Sequence, residues 1–101
     1  MTTRITKFVL EQMIDTLNRI TGSPLKAWET VDGNLTANVG HYFLQGAYGG
    51  WQVQKIVTDG GGTVHISEGY KSKREVYEFL RAYMDGIVEG VKVANKEPQT
   101  A

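Results

Sequence analysis

The hydrophobic period of this chain changes twice, and that change limits the folds open to it. Leu10, Met13, Ile14, Leu17 and Ile20 recur at helical spacing, with Glu11, Gln12, Asp15, Asn18 and Arg19 on the opposite side. From Leu25 to Tyr70 the period drops toward two, and β-branched and aromatic residues are broken up by glycine-rich turn formers. From Lys73 the helical spacing returns: Val76, Leu80, Tyr83 and Ile87 form an inward stripe, broadened by Tyr77, Phe79 and Met84. A helix, several short strands and a second helix must therefore cover one another's apolar faces.

The boundaries carry their own chemistry. Thr6 can cap the first helix, Ile5 and Leu10 hold the positions of a hydrophobic staple, Gly22 can close it in the left-handed conformation, and Pro24 forbids continuation. The spacing predicts a helix over residues 7–21. Asp32-Gly33 supplies the positive φ angles of a tight hairpin between "LKAWETV" and "NLTANVGHYFLQ". In the second of these, Leu35, Ala37, Val39, His41 and Phe43 fall on one face of a single strand; Thr36, Asn38, Gly40, Tyr42 and Leu44 fall on the other. "GAYGG" and "TDGGG" interrupt the run, and "TVHISEGY" ends it with Val64 and Ile66 inward. Ser72 and Glu75 form a capping box that starts the second helix at Lys73. Gly86 or Gly90 ends it, and residues 91–101 form a tail with little to bury.

The fold expected is a two-layer α+β domain, α-β-β-β(-β)-α. Three or four antiparallel strands form a meander, and both helices lie on one sheet face. The whole chain of 101 residues makes one domain, ordered over residues 5–90. Eleven basic residues balance eleven acidic ones, so recognition of a charged partner has to be local. With no cysteine there is no disulfide, thiolate metal site or thiol nucleophile, in keeping with a reducing cytoplasm. Charges at Lys7 and Glu11 interrupt the first apolar run, so it is neither a signal peptide nor a membrane span.

The order of elements, together with "GYKSKREVYEFL" after the last strand, resembles the double-stranded-RNA-binding domain. That resemblance implies that Lys71, Lys73 and Arg74, at the start of the second helix, contact phosphates. It departs in the first hairpin, where only Asp32 to Asn34 stand in place of a groove-reaching loop, and in the neutral charge balance. In texture, "LNRITGSP", "AYGG", "GGG", "GYKSKREVYEFL" and "MDG" are similar to a family of small proteins encoded in bacteriophages and prophages, over roughly residues 10–86. That resemblance implies an accessory protein of a bacterial host cell, binding a host or phage macromolecule, and no particular chemistry.

Candidate residues divide accordingly. His41 and His65 lack a third ligand at metal spacing, so no metal and no cofactor is expected. Asp59-Gly60-Gly61-Gly62 lacks the lysine and hydroxyl of a phosphate loop and reads as a flexible hairpin tip. No pair of carboxylates is placed for acid–base work, so the protein is expected not to be an enzyme. Tyr48 and Trp51 flank a glycine pair and are suited to an interface; aromatics in so small a domain are usually buried, which favours the core edge instead, with Trp51 under a helix and Tyr48 folded over, and Trp28 has the same two readings with burial preferred. Tyr42, Gln52, Gln54 and Thr63 are assigned to the sheet face without helices, which offers a surface for a protein partner or a homodimer. The alternative is nucleic-acid binding by Lys71, Lys73 and Arg74.

Overall fold

The computed structural model describes residues 4–96. Helix α1 (Lys7–Ile20) is followed by β1 (Trp28–Val31), β2 (Asn34–Ala37), β3 (Tyr42–Ala47), β4 (Gly50–Ile56), β5 (Thr63–His65) and α2 (Lys73–Lys96). The class is α+β, and all strand pairs are antiparallel: β1 with β2 in a two-stranded ribbon, and β3-β4-β5 in a three-stranded sheet.

Five strands form where three or four were expected, because "NLTANVGHYFLQ" does not run as one strand. It breaks at Asn38–His41, where Gly40 takes φ 101 and its N–H donates to the carbonyl of Ile56 at 2.8 Å. The Asn38 side chain donates to the Lys26 carbonyl at 3.0 Å, tying the break to the chain before β1. The phase of side-chain alternation is thereby reset, which matters for the faces described below.

Both helices pack on one face of the three-stranded sheet. Leu10, Ile14 and Leu17 of α1 meet Val76 and Leu80 of α2 over Tyr42 and Val53, with Leu44, Trp51 and Ile66 packed at the margin. The stripe of α2 is as its spacing predicts, since Tyr77, Phe79, Tyr83, Met84 and Ile87 all lie against this core. Ile20 is exposed instead of inward, and Val64 is exposed because neither helix reaches over β5.

The helix ends follow their local chemistry. The backbone N–H of Val9 donates to Thr6 Oγ1 at 3.2 Å, and Gly22, at φ 69, closes α1 with its N–H on the Arg19 carbonyl. The capping box of α2 forms: Glu75 N–H donates to Ser72 Oγ at 3.2 Å, and the Ser72 N–H returns to Glu75 Oε1 at 3.1 Å. The end of α2 differs from expectation. Neither Gly86 nor Gly90 adopts positive φ, so neither caps, and the helix continues to Lys96. Residues 91–96 of the expected tail are thus helical, and residues 97–101 lie outside the described residues.

Candidate functional site

The turn between β3 and β4 is the most unusual local structure in the chain. Ala47 pairs with Gly50, leaving Tyr48 and Gly49 as a two-residue loop, with φ 53 and 73. Positive φ at both central positions is the geometry of a type I′ turn, ordinarily filled by Asn-Gly or Asp-Gly. The first hairpin meets that rule with Asp32 (φ 50) and Gly33 (φ 81); here a tyrosine takes the first position. A left-handed backbone for an ordinary L-residue costs roughly 1–2 kcal/mol. The Tyr48 side chain recovers little by burial, being 93% exposed and touching Tyr70 edge-on at 5.3 Å between ring centres. It does not fold over the core edge as one of the two sequence readings had it.

Trp51 instead follows the core reading, starting a strand and packing against the helix-covered core. It is half-buried at the start of β4 with its ring over Gly46, where an added Cβ would stand 2.7 Å from Cζ3 of the indole. Lys7 Nζ sits 5.6 Å from the ring centre on the helix side. Trp28, expected to be buried, is 44% exposed and lies on Gly61. The "DGGG" loop is therefore a seat for an indole and not simply a flexible tip. Gly61 is at φ 98, and a Cβ there would come within 2.8 Å of the Trp28 ring. The Asp59 carbonyl also accepts the Ala37 N–H at 3.0 Å, fastening the first hairpin to this loop.

The assignment of faces needs correction at Tyr42. The register pairs Tyr42 with Lys55, Leu44 with Val53 and Gly46 with Trp51, so Tyr42 shares the helix-covered face and is only 5% exposed. Its hydroxyl lies 3.3 Å from that of Tyr83, and this contact, with burial second, holds the Tyr83 phenol above the ordinary tyrosine range. The misplacement follows from the break at Asn38–His41, which the single-strand alternation did not include. The opposite face is instead carried by Phe43, Gln45, Gln52, Gln54, Thr63 and His65.

This second face is only partly open. Gln52 is 6% exposed and donates through Nε2 to the Ser67 carbonyl at 3.2 Å, so it is a structural group and not a free surface side chain. Gln54 Nε2 donates to Gln52 Oε1 at 2.7 Å and contacts the Tyr70 hydroxyl at 3.4 Å, while Thr63 Oγ1 donates to Gln54 Oε1 at 3.2 Å. Together these side chains make a polar ladder running from β5 toward Tyr70, whose ring meets Tyr48. At the other end Trp28, Ala27, Phe43, Ile56 and Thr63 line an open, mostly apolar pocket of about 210 Å³.

Lys71, Lys73 and Arg74 take three different environments. Lys71 pairs its backbone with Trp51 in both directions at 2.8 Å, and its side chain lines a cavity shared with Glu68 and Glu75. Lys73 lines a separate cleft with Lys7, Glu11 and Trp51. The Arg74 guanidinium stands 5.6 Å from the Tyr77 ring centre. The Glu75 carboxyl is held below the usual carboxylate range, first by the Ser72 N–H, then by the Ser72 hydroxyl, with Lys71 nearby adding to the effect. The first turn of α2 thus already holds an anion supplied by the chain itself.

Asn18 is a residue the sequence reading missed. Assigned to the outer face of α1, it is 1% exposed, and its carboxamide grips the outer edge of β3: Nδ2 donates to the Tyr42 carbonyl at 3.0 Å, and Oδ1 accepts the Tyr42 N–H at 2.8 Å. Its position one residue after Leu17, on the rim of the apolar stripe, was the one signal available. His41 donates through Nδ1–H to the Pro24 carbonyl at 2.8 Å and stacks on Phe43, while His65 is exposed on β5. Among the described residues no three His, Cys, Asp or Glu side chains gather to hold a metal ion. No described helix is long and apolar enough to cross a membrane. Comparison with protein-family models, curated proteins and solved structures gives no significant match to this chain.

Proposed function

We propose that the protein is a non-catalytic binding module of phage type, acting in the cytoplasm of a bacterial host. It engages a host or phage protein, or a second copy of itself, through the Tyr48 turn and the adjoining Tyr70–Gln54 surface. The observation that carries this reading is Tyr48 itself. A large aromatic with 93% of its surface in solvent, on a backbone that favours asparagine or glycine, is poorly explained by folding. Exposed, rigid aromatics of this kind supply much of the energy at protein interfaces. Trp51 contributes from beneath by fixing the hairpin over Gly46, and Gln52 by bracing Gln54.

The test is recovery of a partner from host extract by the wild-type chain and by Tyr48→Asn, a substitution that keeps the turn. Loss of one specific band together with an intact far-UV spectrum supports the reading; unchanged recovery and unchanged oligomer size refute it. The alternative, nucleic-acid binding through Lys71, Lys73 and Arg74, has less behind it because these side chains diverge and Glu75 already occupies the first turn. A salt-sensitive shift of duplex RNA or DNA that disappears when all three become alanine would favour it.

A further inference from the structure

The outer edge of β3 presents backbone groups left unused among the described residues. Ala47 and Gly50 close a two-residue turn as a hydrogen-bonded pair, so alternation along the antiparallel ladder points the N–H and C=O of Tyr42, Leu44 and Gly46 away from β4. Asn18 takes both groups of Tyr42. Among the described residues nothing bonds those of Leu44 and Gly46. Sheet edges are ordinarily protected by charge, proline or a bulge, and "YFLQGA" has neither charge nor proline and pairs with β4 without interruption.

A groove runs beside this edge. One part, about 250 Å³, lies between Asp15, Asn18 and Leu44; the next, about 640 Å³, lies between Lys7, Gly46, Trp51 and Lys73; Glu11 borders both. The charges are sorted along it. Asp15 is paired with Arg19 at 3.0 Å, whereas two lysines, Lys7 and Lys73, line the Gly46 end with one acidic residue, Glu11, whose carboxylate is 3.9 Å from Lys7. That end is cationic.

We propose that the β3 edge accepts an extended acidic segment of a partner protein as an added strand, with Leu44 and Gly46 supplying the backbone bonds and Lys7 and Lys73 receiving a carboxylate. This rests on the reading of the chain as a binding module but uses a surface distinct from the Tyr48 ring. A second copy is the less suited occupant, because its own Tyr42–Ala47 strand brings no carboxylate to the two lysines.

The probe is a random octapeptide library selected against the full chain, followed by titration of individual winners into the isotope-labelled protein. Winners are expected to be rich in Asp and Glu and to shift the amide resonances of Leu44 and Gly46. N-methylation of one alternate set of peptide amides should abolish binding, while methylation of the other set leaves it intact. Reversing both lysines, Lys7→Glu with Lys73→Glu, should weaken binding at least about tenfold with the far-UV spectrum unchanged. The proposal is overturned if no peptide is enriched, if winners lack acidic residues, if shifts fall only on the Tyr48 turn or elsewhere, or if methylation or charge reversal has no effect. It is equally overturned if the free protein forms a dimer in which the Leu44 and Gly46 amides are already protected. Partner capture that depends on Tyr48 without any edge shift removes this inference and leaves the preceding one standing.

Discussion

Replacing Tyr48 with asparagine separates the cost of the turn from the use of the ring. The left-handed backbone at φ 53 disfavours most L-residues by about 1 kcal/mol or more, and asparagine escapes a good part of that penalty. The ring returns little: at 93% exposure its edge-on contact with Tyr70 contributes about 0.5 kcal/mol. Tyr48→Asn should therefore be at least as stable as the parent. Tyr48→Ala keeps the backbone penalty and loses the contact, so it should fall about 1 kcal/mol below Tyr48→Asn. For a domain of this size that separates the two melting temperatures by about 4–8 °C, measurable by thermal circular dichroism. If alanine melts with asparagine or above it, the turn is not left-handed at residue 48 in solution, and the strain argument for function fails. A gain in stability together with loss of the partner is the signature of a residue kept for its surface.

Four further outcomes follow from the packing and the polar contacts. Asn18→Ala strips the partners from both outward groups of Tyr42 and should destabilise by about 2–3 kcal/mol in urea unfolding, far more than a helix-surface Asn→Ala change. Leu80→Ala, at the fully buried contact of α2 with the sheet, should cost about 2–5 kcal/mol by the same measurement. Ser72→Ala removes the acceptor for the Glu75 N–H and should cost about 1 kcal/mol. Because the folded state raises the Tyr83 pKa, the unfolded chain loses that proton first. The associated stability is complete below pH about 10 and declines as pH rises through the folded value, a slope that Tyr83→Phe should abolish in alkaline titrations followed by fluorescence.

Much of the fold could be read from local rules because those rules act within a few residues. The Thr6 cap, the Gly22 closure, the Asp32-Gly33 turn and the Ser72–Glu75 box all formed where composition placed them. Errors arose where a tertiary contact set the outcome. The β2–β3 break depends on Asn38 reaching Lys26 and on Gly40 bonding Ile56, neither of which has a local signature, and through it Tyr42 moved to the buried face. The glycines of α2 carried the usual stop signal, yet they stayed helical. Of the candidate site, the sequence singled out "AYGG" but could not distinguish an exposed Tyr48 from a buried one. The β3 edge was invisible to it, since an unpaired backbone has no composition.

The Asn18 carboxamide imitates one peptide unit of an absent neighbour, and in doing so it works as a doorstop. Ladder slippage that preserves the facing of side chains proceeds in steps of two residues, and the step toward the N-terminal end of β3 is blocked because that berth is filled. The left-handed corner at residue 48 closes the opposite direction. Whatever lies along this margin is held to a landing three residues long, in a single alignment.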